Sequence, residues 1–158
     1  MQKISTMLWF NGDAEEAANF YVSVFRDGKV GEPVRVSEAG PGPVGSVLTV
    51  PFNLLGQDYT ALNGGPQFPF TEAISLVVDC KDQAEVDHYW DALLAGGGEG
   101  VQCGWLKDRF GLRWQVTPSR LIELISSPDP GVAKRVTEAM FGMVKIDIAA
   151  IEAAAKAA

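Results

Sequence analysis

His88 is the only imidazole in the chain, so histidine-dependent chemistry has one residue to draw on. It stands between Val86, Tyr89 and Trp90 in a stretch of helical spacing. There it reads as a solvent-facing helix residue, or else as a base or a metal ligand. Nothing completes a Ser-His-Asp or Cys-His arrangement, in which a base must sit against its nucleophile. Cys80 and Cys103 form one bridge or remain thiols. No secretory leader precedes the first strand, so reduced thiols in a cytoplasmic setting are expected. Cys103 has no basic residue beside it to activate the thiol and reads as inert. If the protein is an enzyme, Asp58, Asp79 and Cys103 are its candidate reactive groups. Trp9, Trp105 and Trp114 could stack an aromatic or quinone-like ligand; Trp9 and Trp114 are expected in the core, and Trp105 at a cavity mouth. Lys107-Asp108 adjoins a turn and reads as a solvated or structural ion pair.

With 158 residues, 47% hydrophobic and 21% charged, the chain has ordinary globular composition and enough length for one substantial core. The expectation is a single domain, 1–158. A formal charge of -7 argues against partners bound by neutralising phosphates, so neither nucleic acid nor an anionic membrane is expected. Gly, Pro or charge interrupts every apolar run before the roughly 18 residues that a membrane span needs.

The elements that must position these groups repeat. Asp13-Ala-Glu-Glu-Ala-Ala-Asn-Phe-Tyr21 recurs as Asp82-Gln-Ala-Glu-Val-Asp-His-Tyr-Trp90, each after a short β-like run. The offset of 69 also pairs Thr6 with Ser75 and Leu8 with Val77. A strand is expected over 3–10, followed by a helix from Asp13 to about Phe25, with Asp13 and Glu16 forming a capping box. β-like runs then cover 34–36, 45–52 and 58–63. The second copy has a strand at 73–78, a helix from Asp82 to Ala95, and strands near 101–107 and 112–117 joined by the turn Asp108-Arg-Phe-Gly111. The modules are therefore 3–65 and 72–118, each β-α-β-β-β. A helical extension, 119–158, has caps at Asp129-Pro130 and Asp147 and would cover one module or a partner subunit. If Ser75 faces a cavity, Val77 and Asp79 share its face; Gln115 would then lie beside Arg113 and Thr117, with Leu112, Trp114 and Val116 toward the helices.

Trp9-Phe-Asn-Gly, Asn63-Gly-Gly-Pro66, Cys80 to Trp90, Cys103-Gly-Trp-Leu-Lys-Asp-Arg-Phe-Gly111 and Trp114-Gln115 together resemble the PhnB-like family. Its members often bear the name demethylubiquinone methyltransferase. The likeness runs on through Ser127-Pro-Asp-Pro130 and Ile146-Asp-Ile148. That family is a branch of the vicinal oxygen chelate superfamily, with glyoxalases, bleomycin- and fosfomycin-resistance proteins and extradiol dioxygenases. The resemblance implies an α+β fold in which two tandem β-α-β-β-β modules form a cupped mixed sheet, usually in a homodimer.

It also implies where metal ligands would stand: on the first strand and the last strand of each module. Those places are Thr6 and Thr60 in the first module and Ser75 and Gln115 in the second. Hydroxyls and an amide make a poor set for divalent metals, which want imidazole or carboxylate. With Trp105 and Arg113 these residues either line a small-molecule cavity or satisfy each other's hydrogen bonds in a filled core. A slip of one residue in the first strand would exchange Thr6 for Ser5 or Met7.

No metal or other cofactor is expected. The reading is a metal-independent small-molecule binding protein of glyoxalase and bleomycin-resistance type. One alternative is an enzyme, whether the methyltransferase of the family name or a lyase or isomerase; another is an interaction protein with a filled cavity. For methyl transfer, the strand, Gly-rich turn, helix and acidic residue of the common S-adenosylmethionine site are not recognisable.

Overall fold

Alternating burial along Thr6–Phe10 forms strand β1 in the computed structural model, which describes residues 3–157. Leu8 and Phe10 are buried, whereas Met7 is 59% exposed. Helix α1 (Ala14–Val24) follows and buries Ala17, Ala18, Tyr21 and Val24, a stripe at helical spacing. Strands β2 (Lys29–Val30), β3 (Val34–Arg35), β4 (Val47–Leu54) and β5 (Gln57–Asn63) complete a mixed sheet in the order β1-β5-β4-β2, with β3 also paired to β4. The one parallel pairing in it is β1 with β5, which sets Met7 against Thr60. Val50, Phe52 and Leu54 of β4 and Ala61 of β5 are buried. Tyr21 of α1 stacks 6.0 Å from Phe52, so these residues mark the helix-facing side. By alternation Met7, Pro51, Asn53, Asp58 and Thr60 lie on the opposite, helix-distal side.

The chain divides at Phe70 and Thr71 into two compact units. In the second, β6 (Leu76–Cys80), α2 (Gln83–Leu94), β7 (Glu99–Gly100), β8 (Trp105–Lys107) and β9 (Arg113–Pro118) make a sheet in the order β6-β9-β8-β7, with β6 and β9 parallel. Val78, Cys80, Leu106, Trp114 and Val116 are buried, as are Val86, Trp90 and Leu93 of α2. Helices α3 (Ser119–Ile125), α4 (Pro130–Phe141) and α5 (Ile148–Lys156) close around Leu121, Leu124, Val136, Ile146 and Ile151. The Gln83 amide brackets the entry to α5, donating to the Ile146 carbonyl at 3.1 Å and accepting from the Ile148 N–H at 2.8 Å. The Cys103 and Gly104 amides donate to the carbonyls of Met143 and Val144, each at 2.8 Å. The extension is thus tied to its own unit. Asp129 and Asp147 cap α4 and α5 as expected.

The class is α+β, with two mixed sheets and, among the described residues, five helices. None of these helices is long and apolar enough to cross a membrane. The repeat is real but its offset is not uniform. Buried helix positions match at 69: Ala17 with Val86, Tyr21 with Trp90, Val24 with Leu93. Buried strand positions match at 70: Leu8 with Val78 and Phe10 with Cys80. Three residues, Asn11-Gly12-Asp13, join β1 to α1, while only Lys81-Asp82 joins β6 to α2. The extra residue slips the strand relative to the helix and reverses every face assigned through the offset of 69.

Two local expectations are corrected. Asp82 caps α2 through a bond from the Glu85 N–H at 2.9 Å, but the Asp13 side chain makes no capping bond to α1. Instead Asn63 on β5 accepts from the Ala14 N–H at 2.9 Å, a cap supplied from 49 residues away. Trp9 is half-buried, not core. Its indole donates to the Gly65 carbonyl at 2.9 Å, and Phe68 meets it edge-on at 5.0 Å. Only glycine fits at position 64, where a Cβ would lie 2.3 Å from the Trp9 ring.

Candidate functional site

In the second unit the register of β6, β9 and β8 brings the expected residues together. Ser75, just ahead of β6, accepts a hydrogen bond from the Gln115 amide at 2.9 Å. Val77 is the cross-strand partner of Gln115 and is 61% exposed, which fixes this as the helix-distal face. Trp105 pairs with Gln115 and Lys107 with Arg113 across the β8–β9 ladder, so all four side chains share that face. Asp79 is there too, accepting from the Ser119 hydroxyl at 2.6 Å. Leu112, Trp114 and Val116 are buried on the other side.

Arg113 is the charged centre of this face. Its Nη2 donates to Glu72 at 2.8 Å and its Nη1 to the Gly111 carbonyl at 3.0 Å, while its Nε is buried without an acceptor. Glu72 is a residue that sequence reasoning missed, because nothing in its spacing ties it to a site 41 positions away. A backbone hydrogen bond, and then the Arg113 guanidinium, hold its carboxyl below the usual range. Lys107 pairs with Glu99 at 3.0 Å. The expected Lys107–Asp108 ion pair is therefore replaced: Asp108 is 1% exposed and accepts from the Phe110 and Leu112 N–H groups at 2.9 and 3.1 Å and from the Trp114 indole at 2.8 Å. This carboxylate organises the turn that aims Arg113 and Gln115.

In the first unit Thr60 lies on the helix-distal face, but Thr6 does not. Thr6 shares the helix-facing side of β1 with Leu8 and Phe10, as the slipped offset requires. Counting by 70, the counterpart of Ser75 is Ser5, and the registers make Thr60 the counterpart of Gln115. Ser5 and Thr60 line one cleft of about 580 Å³ together with Lys29, Pro51, Asn53 and Asp58. Asn53 donates to Asp58 at 2.7 Å. Tyr59, stacked 5.2 Å from Phe52, also borders the cleft, and burial pushes its phenol up.

The same registers equate Asp58 with Arg113, Asn53 with Lys107 and Lys29 with Glu99. The central position thus carries a carboxylate in one copy and a guanidinium in the other. The donor set at the places expected for metal ligands does not fit a divalent catalytic metal. Ser75 and Gln115 bond to each other, and Ser5, Met7 and Thr60 add only hydroxyls and a thioether, where divalent catalytic metals want imidazole or carboxylate. Among the described residues no group of three or more His, Cys, Asp or Glu could hold a metal ion. His88 is exposed on α2 with its ring against Tyr89. Cys80 and Cys103 are both free thiols.

Two copies of a strand, a helix and further strands, the last of them parallel to the first, each showing a polar helix-distal face, define a class of duplicated α+β proteins. The chain belongs to the 3-demethylubiquinone-9 3-methyltransferase family, whose model matches residues 2–117. The PhnB protein of Bacillus cereus is 35% identical, with 75% of this chain and 100% of that one covered and a TM-score of 0.63. A Pseudomonas aeruginosa protein is 21% identical over 75% of this chain and 98% of its own, with a TM-score of 0.58, and shares the fold. Comparison with curated proteins found no match. The family resemblance read from the sequence is borne out. Helices α3 to α5 lie beyond the matched residues.

Proposed function

We propose that the chain is a metal-independent small-molecule binding protein of glyoxalase and bleomycin-resistance type, acting as a cytoplasmic homodimer. The observation that carries this reading is the Ser75–Gln115 hydrogen bond. At places where the superfamily resemblance implies metal ligands, a hydroxyl and an amide satisfy each other beside Arg113 and Trp105. The cleft of about 580 Å³ in the first unit supports the reading, because small-molecule sites run from roughly 300 to 1,000 Å³. Free Cys80 and Cys103 are consistent with a reducing compartment. Residues 1–158 are taken as one functional domain, built from modules 3–65 and 72–118 with the extension 119–158.

Methyl transfer is a second reading, favoured by the family name. Against it, Gly96-Gly97-Gly98 follow α2, whereas a dinucleotide-type glycine turn opens a helix. Metal analysis of the purified protein and a melting-temperature screen decide between the readings. Metal below about a tenth of an equivalent is expected, with stabilisation by an unsaturated small molecule. A ligand at 100 times its Kd stabilises by about 2.7 kcal/mol. Near one equivalent of zinc, nickel, iron or manganese, removed by chelator with loss of binding, overturns the metal-independent reading. Stabilisation by S-adenosylmethionine favours methyl transfer. Light scattering checks the dimer.

A further inference from the structure

We propose that the helix-distal face of the second unit binds a flat, unsaturated carboxylate, gripped along the Nε–Nη2 edge of Arg113 and stacked on Trp105, with Glu72 as the counter-ion it displaces. This rests on the small-molecule reading above and names the ligand class.

A guanidinium presents its N–H groups in forks, and the Nε–Nη2 edge matches the two oxygens of one carboxylate. In Arg113 that edge is half used. Nη2 donates to one oxygen of Glu72, and the buried Nε donates to nothing. A buried N–H without an acceptor is costly to the fold, so it marks a position where a partner oxygen completes the structure. The present partner is easy to displace: the Glu72 side chain is 76% exposed and holds one point, whereas that of Arg113 is only 13% exposed. The carboxylate end of the pair stands in water, where solvent and salt screen its charge. Nε is shut from solvent while Glu72 holds Nη2, so the guanidinium must turn outward as Glu72 leaves; an incoming carboxylate that then engages both donors gains the bond that Glu72 leaves unmade.

The surroundings favour an anion with a ring. Lys107 stands directly across from Arg113 and adds a second positive charge, its own counter-ion Glu99 being exposed. Trp105 pairs with Gln115 and is therefore the diagonal neighbour of Arg113, a spacing of roughly 7–8 Å between backbones. That spacing suits an acid whose carboxylate meets the guanidinium while its ring covers the half-buried indole. Asp58 holds the equivalent place in the first unit, so the preference belongs to this copy alone.

Titration of the full chain with 2-naphthoate and its uncharged match, 2-naphthamide, tests the proposal. Naphthoate should bind about 10- to 100-fold more tightly than the amide, the range expected of hydrogen bonds to a charged group. Arg113→Gln should reduce naphthoate binding to about the level of the amide. Glu72→Gln removes the competing carboxylate and should tighten naphthoate several-fold; weakening instead would mean that Glu72 only braces Arg113, and would overturn the proposal. Equal binding of naphthoate and naphthamide, unaltered by Arg113→Gln, overturns the carboxylate preference but keeps the small-molecule reading. Stabilisation by neutral compounds alone does the same. No stabilisation by any compound overturns both.

Discussion

Asp108→Asn probes how the β8–β9 turn holds the candidate site. The wild-type carboxylate is buried and accepts three hydrogen bonds, from two backbone N–H groups through Oδ1 and from the Trp114 indole through Oδ2. Asparagine keeps one oxygen. If that oxygen stays with the Phe110 and Leu112 amides, its NH2 group faces the indole N–H, donor against donor. If it flips, both backbone groups lose their acceptor. The milder arrangement gives up one hydrogen bond and the charge assistance of the other two, a loss of about 2–3 kcal/mol. Asp108→Ala strands all three donors and should cost about 4 kcal/mol or more. Urea unfolding followed by circular dichroism measures both. Trp114→Phe supplies the internal control: it removes the opposing donor, so Asp108→Asn should cost about 1 kcal/mol less in that background. An Asp108→Asn protein within about 0.5 kcal/mol of wild type, the range of ordinary surface substitutions, refutes the role given to Asp108.

Two further outcomes follow from the faces of the strands. Met7→Lys should change stability by less than about 1 kcal/mol, whereas Leu8→Lys should cost about 3 kcal/mol or more, because only the second buries a charge against α1; reversed costs, read from urea midpoints, would restore the offset of 69 to β1. Burial first, then the carboxylates of Glu85, Asp79 and Asp82, push the Cys80 thiol up to about 12 from an ordinary 9.0. The unfolded thiol ionises first, so this contribution to stability is complete below about pH 9 and is lost as pH rises toward about 12, a fall that Cys80→Ala should flatten in midpoints measured against pH.

The helices and the second sheet were legible in the sequence because their signals are local. Apolar spacing found the buried stripes of α1 and α2, and alternation placed Gln115 and Arg113 opposite Trp114 and Val116. Thr6 went to the wrong face because a repeat reports an average offset, and one extra residue in Asn11-Gly12-Asp13 shifts β1 against α1 without marking the helix copies. The α1 cap was illegible for another reason. Asp13 has the right type and place, yet Asn63 arrives through strand pairing and takes the first free N–H. Lys107-Asp108 reads as a solvated or structural ion pair because sequence shows the charge of Asp108 and not the three donors that gather round it. Glu72 and the Ser5–Thr60 cleft depend on contacts between distant segments.

The pairing of Asp58 in one copy with Arg113 in the other carries a further consequence. The frame folds with either sign of charge at that pleat, so folding leaves the choice open. One substitution per copy can then change the charge of a face while the apolar layer beneath it, Val50 and Phe52 in one unit and Leu106 and Trp114 in the other, stays untouched. On this frame the sign of a face and the packing beneath it are set by different residues.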